Sequence, residues 1–377
     1  MPIIESCAAA GLRVVVGSAK RYCSGFYCRC VRERVVYPDP KDQSAACAEF
    51  LLDLLERRRI SVLFSVGDVM TNLVARHQDA LRRFTRVLLP PYEVFVQGRS
   101  KIGTLKAAAR GGCPIPMTWY PQDQPIEKIA AEAAYPVLIK PAVAAGARGI
   151  TLCASADELL AKFGEVQFDH GESFVQEFVP QTGTQYKVDV ILDREQRLLA
   201  GVVYSKLRYY PPTGGSSVLN RTEHRPDILE SALKVLRELK WVGFCDFDFI
   251  TDPRDNVVKL MEINPRFPES YRATVAAGLD MTRIMYRLAA GESPEPQLEY
   301  RDNQYLRFLF GDIMWFLTTT DNRWKARPSF LDFFRNDTIY QVVRSNDVGP
   351  VMGYLLENAS ILWDKEKREF RLRRRRA

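Results

Sequence analysis

Residues 243–268 read GFCDFDFITDPRDNVVKLMEINPRFP. Two apolar runs, 243–250 and 257–263, flank the polar turn TDPRDN, a pattern that predicts two paired strands. Side chains alternate along a strand, so Asp246 and Asp248 share one face, as do Glu262 and Asn264. Pairing the strands sets Asp248 opposite Glu262 and Asn264. Two carboxylates and an amide oxygen are hard donors of the kind Mg2+ takes together with phosphate oxygens. Arg266 adds a fixed cationic fork just beyond them. A solvated hairpin with ordinary acidic residues is the plainer reading. Leu260, Met261 and Ile263 argue against it, because they make the strand largely buried. Asp246 competes with Asp248 for the first ligand place.

Upstream, Lys140 ends the apolar strand 135–140 and precedes a loop of small residues. Gly146 and Gly149 there allow close backbone approach, and Lys140 and Arg148 bring positive charge, which suits phosphate. Taken alone, a surface lysine before an ordinary loop is the commoner meaning. Further strands are expected at 149–153, 173–179, 186–192 and 198–207, and helices at 100–111 and 225–239. Ser100 is a candidate cap, and Ser155 with Glu158 forms a capping box. Strands that follow one another through short turns imply an antiparallel α+β domain. In the first hundred residues, strands at 12–16, 61–66 and 87–89 alternate with helices at Ser44–Arg58 and 69–81. That alternation predicts an open parallel α/β sheet. Its first turn, Gly17-Ser18-Ala19-Lys20, lacks the GxGxxG fingerprint, so a nicotinamide site is unsupported. Asp68 reads as a helix cap or a substrate contact. After about residue 292 the pattern turns helical and aromatic, which reads as core packing.

At 377 residues the chain has room for about two to three domains. Its net charge is +7, but residues 365–377 (KEKREFRLRRRRA) hold eight positive and two negative side chains, a local +6. Only +1 is left for residues 1–364, which excludes a basic domain and leaves a basic tail. No nucleic-acid partner is therefore expected. No run approaches the ~18 apolar residues of a membrane span. With no cationic leader ahead of Glu5 and eight ordinary cysteines, the expected location is cytoplasmic. Cys23, Cys28 and Cys30 match no zinc spacing.

The order of these segments is more telling than any one of them. Lys140 after a strand, a small-residue loop, QEFV, a strand with VDV, then DFDF and MEINPR together resemble the ATP-grasp superfamily, of the carbamoyl-phosphate synthase-like and carboxylate–amine ligase type. The resemblance covers roughly residues 100–291, and ExNPR (Glu262, Asn264, Pro265, Arg266) is its most specific part. It implies an N-terminal open parallel α/β (pre-ATP-grasp) domain over 1–97 and a central two-lobed ATP-grasp domain over 98–295. A C-terminal, mainly helical or mixed extension with the Arg-rich tail would occupy 296–377.

The resemblance further implies ATP as co-substrate and Mg2+, with Mn2+ as a substitute, held by Asp248, Glu262 and Asn264. Lys101, Lys140, Arg148 and the loop glycines Gly146 and Gly149 would meet phosphates. Glu177, Phe178 and Val179 would hold adenine. Gln185 stands where relatives usually place a ribose-binding Glu, so a weaker, neutral contact is expected. Arg266 and Lys140 would assist at the acyl phosphate. In the segment 204–220 (YSKLRYYPPTGGSSVLN), Lys206 and Arg208 share a strand face ahead of a polar loop, and Arg208 is expected to read a substrate anion. The implied activity is ATP-dependent joining of a small-molecule carboxylate to an amine, in a monomer or homodimer. A carboxylate–thiol ligase, a bicarbonate-activating carboxylase and a non-catalytic nucleotide-binding scaffold are the alternatives.

Overall fold

A computed structural model describes all residues except 145–147, 213–214, 334, 345 and 364–377. Its strands, numbered in chain order, form three sheets. β1 (Val14–Ser18) and β2 (Val31–Val36) pair in parallel. β3 (Thr118–Trp119), β4 (Val137–Pro141), β5 (Thr151–Cys153) and β6 (Ser173–Glu177) form an antiparallel sheet in the order β3-β6-β4-β5. β7 (Gln185–Leu192), β8 (Leu198–Tyr210), β9 (Ser216–Thr222), β10 (Gly243–Thr251), β11 (Val258–Asn264), β12 (Tyr305–Arg307) and β13 (Thr338–Tyr340) complete the molecule. They make a seven-stranded sheet ordered β11-β10-β7-β8-β9-β12-β13. These last two sheets are the two lobes expected of the central domain.

Alternation along β10 explains how the larger sheet presents its polar groups. Cys245, Phe247 and Phe249 join Val188 and Val190 of β7 in a core under the helix Pro226–Leu239. That helix offers Ile228, Ala232, Leu233, Val235, Leu236 and Leu239 at helical spacing. Asp246 and Asp248 are thereby turned to the opposite face. A one-residue slip would drive them into the core, so apolar burial sets the register. In that register Asp248 lies opposite Glu262 and Lys187, and Asp246 lies opposite Asn264 and Asp189.

In the smaller lobe, the helices Ile126–Glu132 and Ala156–His170 cover β4 to β6 through Ile129, Leu159 and Phe163. Ser100 caps the helix Lys101–Arg110, its Oγ accepting the Gly103 N–H at 3.3 Å. Ser155 does the same for the Glu158 N–H, while the Glu158 carboxylate reaches Ala154 N–H, one residue before the reciprocal position.

The N-terminal region keeps the expected parallel pairing but with different strands. Residues 61–66 and 87–89 form no strand among the described residues, where Val62 makes one isolated parallel bridge to Arg86, and β2 (VRERVV) takes the place beside β1. The expected helix 69–81 breaks at His77 into Asp68–Arg76 and Gln78–Leu81. Asp68 is the first helical residue rather than the cap, and Gly67, at φ 84°, precedes it. The C-terminal region is more than a helical addition, because β12 and β13 extend the larger sheet. The helix Leu309–Thr318 lies against β8 and β9, and the helix Gly349–Trp363 returns to the turn Ser24–Tyr27.

Candidate active site

The polar face of the larger sheet carries a dense network of charges. Lys187 Nζ lies 2.7 Å from Asp246 Oδ2 and 3.1 Å from Asp248 Oδ2. Lys206 Nζ lies 2.5 Å from Asp248 Oδ1. Asn264 Nδ2 donates to both aspartates at 3.0 Å, which leaves its Oδ1 to accept from Arg266 at 3.3 Å. Arg266 Nε in turn donates to Asp68 at 3.0 Å. At the sheet edge, Lys101 Nζ sits 3.0 Å from Glu262 and also donates to the Ala144 carbonyl at 2.9 Å, so one ammonium group bridges the lobes. Lys140, on β4, donates to Gln176 Oε1 at 3.0 Å, and Gln176 donates to Thr118.

Burial and neighbours divide the titratable groups. The buried Lys140 ammonium is pushed down to about 8, chiefly by loss of water; Glu262 opposes the shift and Lys101 adds to it. Burial lifts Asp246 to about 6 against the pull of Lys187. Asp248 is also buried, yet Lys187 and Lys206 hold it well below the usual carboxylate range. Asp189 is driven up by burial and by Asp246, and its Oδ2 has no partner. Asp248 is therefore the firmly ionised member of the β10 pair.

The structure brings Lys101, Lys140, Asp248, Glu262, Asn264 and Arg266 into one run of neighbouring polar groups where the two larger sheets approach. An ionised carboxylate, a second one partly open to solvent and an oriented amide are oxygen donors that fit Mg2+ beside phosphate oxygens. Among the described residues, no group of three or more His, Cys, Asp or Glu side chains is placed to hold a metal ion. Gln185 opens β7; its Nε2 donates to Gln181 and its Oε1 lies 3.5 Å from Lys206. Glu177 accepts from Met117 N–H at 2.9 Å, Arg254 at 2.8 Å and Lys259 at 3.3 Å, so its carboxylate ties β6 to the β10–β11 turn. The Phe178 N–H is taken by the Pro136 carbonyl, and Val179 is buried with its carbonyl accepting from Gln181. Gly149, at φ 72°, has no room for a Cβ, which would stand 2.5 Å from the His170 ring. Arg148 is exposed, and Gly146 lies outside the described residues.

Arg208 departs from its expected role. A β-bulge follows Lys206, which pairs with Asn220 while Arg208 pairs with Leu219, so the two side chains no longer share a face. The Arg208 guanidinium is buried against Asp312 at 2.9 Å, over the Trp315 ring, and donates to the Pro328 carbonyl. Lys206 meets the site in its place. Lys187 was not anticipated. Its signal was a charge in the middle of an apolar strand, on the face of Asp189. A small, open depression lies beside Arg266 towards the N-terminal region, walled by Phe64, Ser65, Leu88, Phe267 and Met285.

An antiparallel four-stranded sheet and a mixed seven-stranded sheet, with lysines and carboxylates where they approach, define the fold class. Residues 99–270 match the family model for the ATP-grasp domain. It is 22% identical to a D-aspartate ligase of Enterococcus faecium over 64% of this chain and 62% of the relative. It is 24% identical to the carbamoyl phosphate synthase large chain of Methanothermobacter thermautotrophicus over 58% of this chain and 23% of that one. The chain thus spans less than two thirds of either relative. Its fold resembles a biotin carboxylase–β-γ-ATP complex from Campylobacter jejuni, with a TM-score of 0.67, 15% identity and coverage of 81% of this chain and 71% of that one.

Proposed function

We propose that this protein is an ATP- and Mg2+-dependent ligase that activates a carboxylate as an acyl phosphate and joins it to an amine, releasing ADP and phosphate. The observation that carries this reading is the convergence of Lys101, Lys140 and Arg266 with Asp248, Glu262 and Asn264 where the lobes meet. A carboxylate is a poor electrophile at neutral pH. Attack of its oxygen on the γ-phosphorus breaks the bond to ADP and forms the acyl phosphate. The amine nitrogen then attacks the acyl carbon, phosphate leaves, and the nitrogen gives up a proton.

Lys140 and Lys101 would neutralise phosphate oxygens from fixed positions. For Lys101 this means exchanging Glu262 for phosphate. Asp248, Glu262 and Asn264 would hold Mg2+, which when bound neutralises charge on the phosphate oxygens. Arg266, aimed by Asp68 and Asn264, would face the acyl phosphate or the substrate carboxylate. Gln185 would meet the ribose, and Glu177, Phe178 and Val179 would border adenine. The loop through Gly146, Arg148 and Gly149 would cover the phosphates. Similarity to a D-aspartate ligase supports an amino acid as one substrate.

The test is ADP release across panels of carboxylates and amines, with hydroxylamine as a trap for acyl phosphate. Hydroxamate formed from one carboxylate, and lost in Glu262→Gln, is the expected result. ADP release with bicarbonate alone, or acyl transfer only to thiols, would replace this reading with a carboxylase or thiol ligase. No nucleotide turnover with any acid would leave a binding scaffold.

A further inference from the structure

Lys187 holds two aspartates with one ammonium group. It sits in the middle of β7, directly opposite Asp248 in the pairing with β10. Its Nζ reaches Asp246 Oδ2 at 2.7 Å and Asp248 Oδ2 at 3.1 Å, and the residue is only 7% exposed. Asp246 and Asp248 are two apart on β10, so alternation turns both carboxylates to the same side. Buried carboxylates that share one nitrogen at such distances ionise together only beside a cation. The chain supplies that cation itself. β7 lies between β10 and β8, so strands flank the lysine on both sides. A divalent ion bridging the same two Oδ2 atoms would need the place that the Lys187 nitrogen holds.

Glu262 is differently placed. It lies across from Asp248 on the outer strand β11, its side chain is 36% exposed, and its partner Lys101 comes from outside the larger sheet. Lys101 has the Ala144 carbonyl as a second partner, and Lys206, on Asp248 Oδ1, has Gln185 Oε1 at 3.5 Å. Both cations can leave a carboxylate with another acceptor at hand. The hydrogen bonds of Lys187 go to Asp246 and Asp248 themselves. The side of Asp248 towards Glu262 can therefore open to a metal, while the side towards Asp246 is filled.

We infer that Lys187 is a resident monovalent cation for Asp246 and Asp248, and that it restricts the site to a single divalent ion, held with Asp248, Glu262 and Asn264. The inference rests on the metal reading of those three residues given above. Lys187 is a positioning residue: it fixes the direction of the Asp248 carboxylate and closes the aspartate pair to a bridging metal.

The test counts bound metal. Mn2+ is titrated into the full chain with ADP held just below the chain concentration, and uptake is read from the loss of the free-Mn2+ electron paramagnetic resonance signal. The parent should take up one Mn2+ per chain, and Glu262→Gln should lose it. Lys187→Met removes the charge at nearly constant length and should take up two. Lys187→Arg keeps the charge and should return to one. Lys187→Met also leaves two buried carboxylates without their counter-charge, so Mn2+ without nucleotide should raise its melting temperature more than it raises that of the parent.

Two Mn2+ ions per parent chain, or one per chain in Lys187→Met, would overturn the inference and spare the metal reading, with uptake still reduced by Glu262→Gln. No uptake by the parent, or uptake that Glu262→Gln leaves intact, would remove the metal reading and this inference together. Should Lys187→Met fail to fold, Lys187→Gln, which keeps a donor for the carboxylates, replaces it with the same expected count.

Discussion

An ammonium group buried as deeply as that of Lys140 works against the fold that holds it. Its pKa falls from 10.5 to about 8, so the unfolded chain binds this proton more tightly than the native one. Stability should therefore rise with pH between about 8 and 10.5, and below that window the lysine costs on the order of 3 kcal/mol. Lys140→Met should raise the melting temperature, less what is lost by leaving the Gln176 amide oxygen unpaired, about 1–3 kcal/mol. The same variant should lower kcat/KM for ATP by at least about tenfold if the ammonium meets phosphate. A lower melting temperature with unchanged ATP kinetics would remove Lys140 from the site. In the parent protein, kcat/KM for ATP should decline as pH rises through about 8, and Lys140→Arg should keep it flat there. The aspartates of β10 give a second test. Asp248→Asn should raise the Mg2+ concentration needed for ADP formation about tenfold or more, whereas Asp246→Asn should change it little. Glu262, Asn264 and Asp248 were legible because a short hairpin pairs them. Lys187 and Lys206 were not, because their meeting with Asp248 depends on the order β10-β7-β8.

At the scale of elements, the bulge in β8 separates two cations that sequence spacing places together. Lys206 stays on the polar face, while Arg208 and Arg307 share the buried Asp312, which lies 2.9 Å and 2.6 Å from them. Removing that carboxylate leaves two guanidinium groups without a counter-charge, so Asp312→Asn should destabilise by about 3–5 kcal/mol, read from denaturant unfolding. Arg208→Met should also lower stability, with KM for ATP and for the carboxylate within about twofold of the parent. A tenfold rise in the carboxylate KM alone would return Arg208 to the anion-binding role first expected of it. No sequence pattern marks a bulge of this kind, since the extra residue, Leu207, is as apolar as its neighbours. The helix Ser44–Arg58 was read to the residue because its apolar spacing is strong. β2 and β9 were missed: VRERVV and SSVLNRT carry too much charge or polarity to read as strands, and only their ladder partners make them so.

At the scale of the whole molecule, the family resemblance implies a three-part division, but it does not say how the described segments interlock. β12 and β13 complete the sheet that holds the site, and the helix Gly349–Trp363 returns to the N-terminal turn, both through pairings distant in sequence. Asp68 of the N-terminal region pairs with Arg266 of the candidate site. Asp68 opens a helix whose N-terminus would favour a carboxylate in any case. It spends that carboxylate on aiming a guanidinium of the site instead. Arg266 keeps Asn264 and the Phe267 carbonyl when Asp68 is removed, so its fork should stay in the site but lose its direction. The pair is partly exposed, and such pairs contribute about 0–1 kcal/mol, so Asp68→Ala should leave the melting temperature within a few degrees of the parent. The KM for the carboxylate should rise about tenfold while the KM for ATP stays constant, because orientation and not nucleotide binding is what is lost. If the KM for ATP rises instead, Arg266 serves the nucleotide, and the N-terminal region acts on phosphate rather than on the acid to be activated.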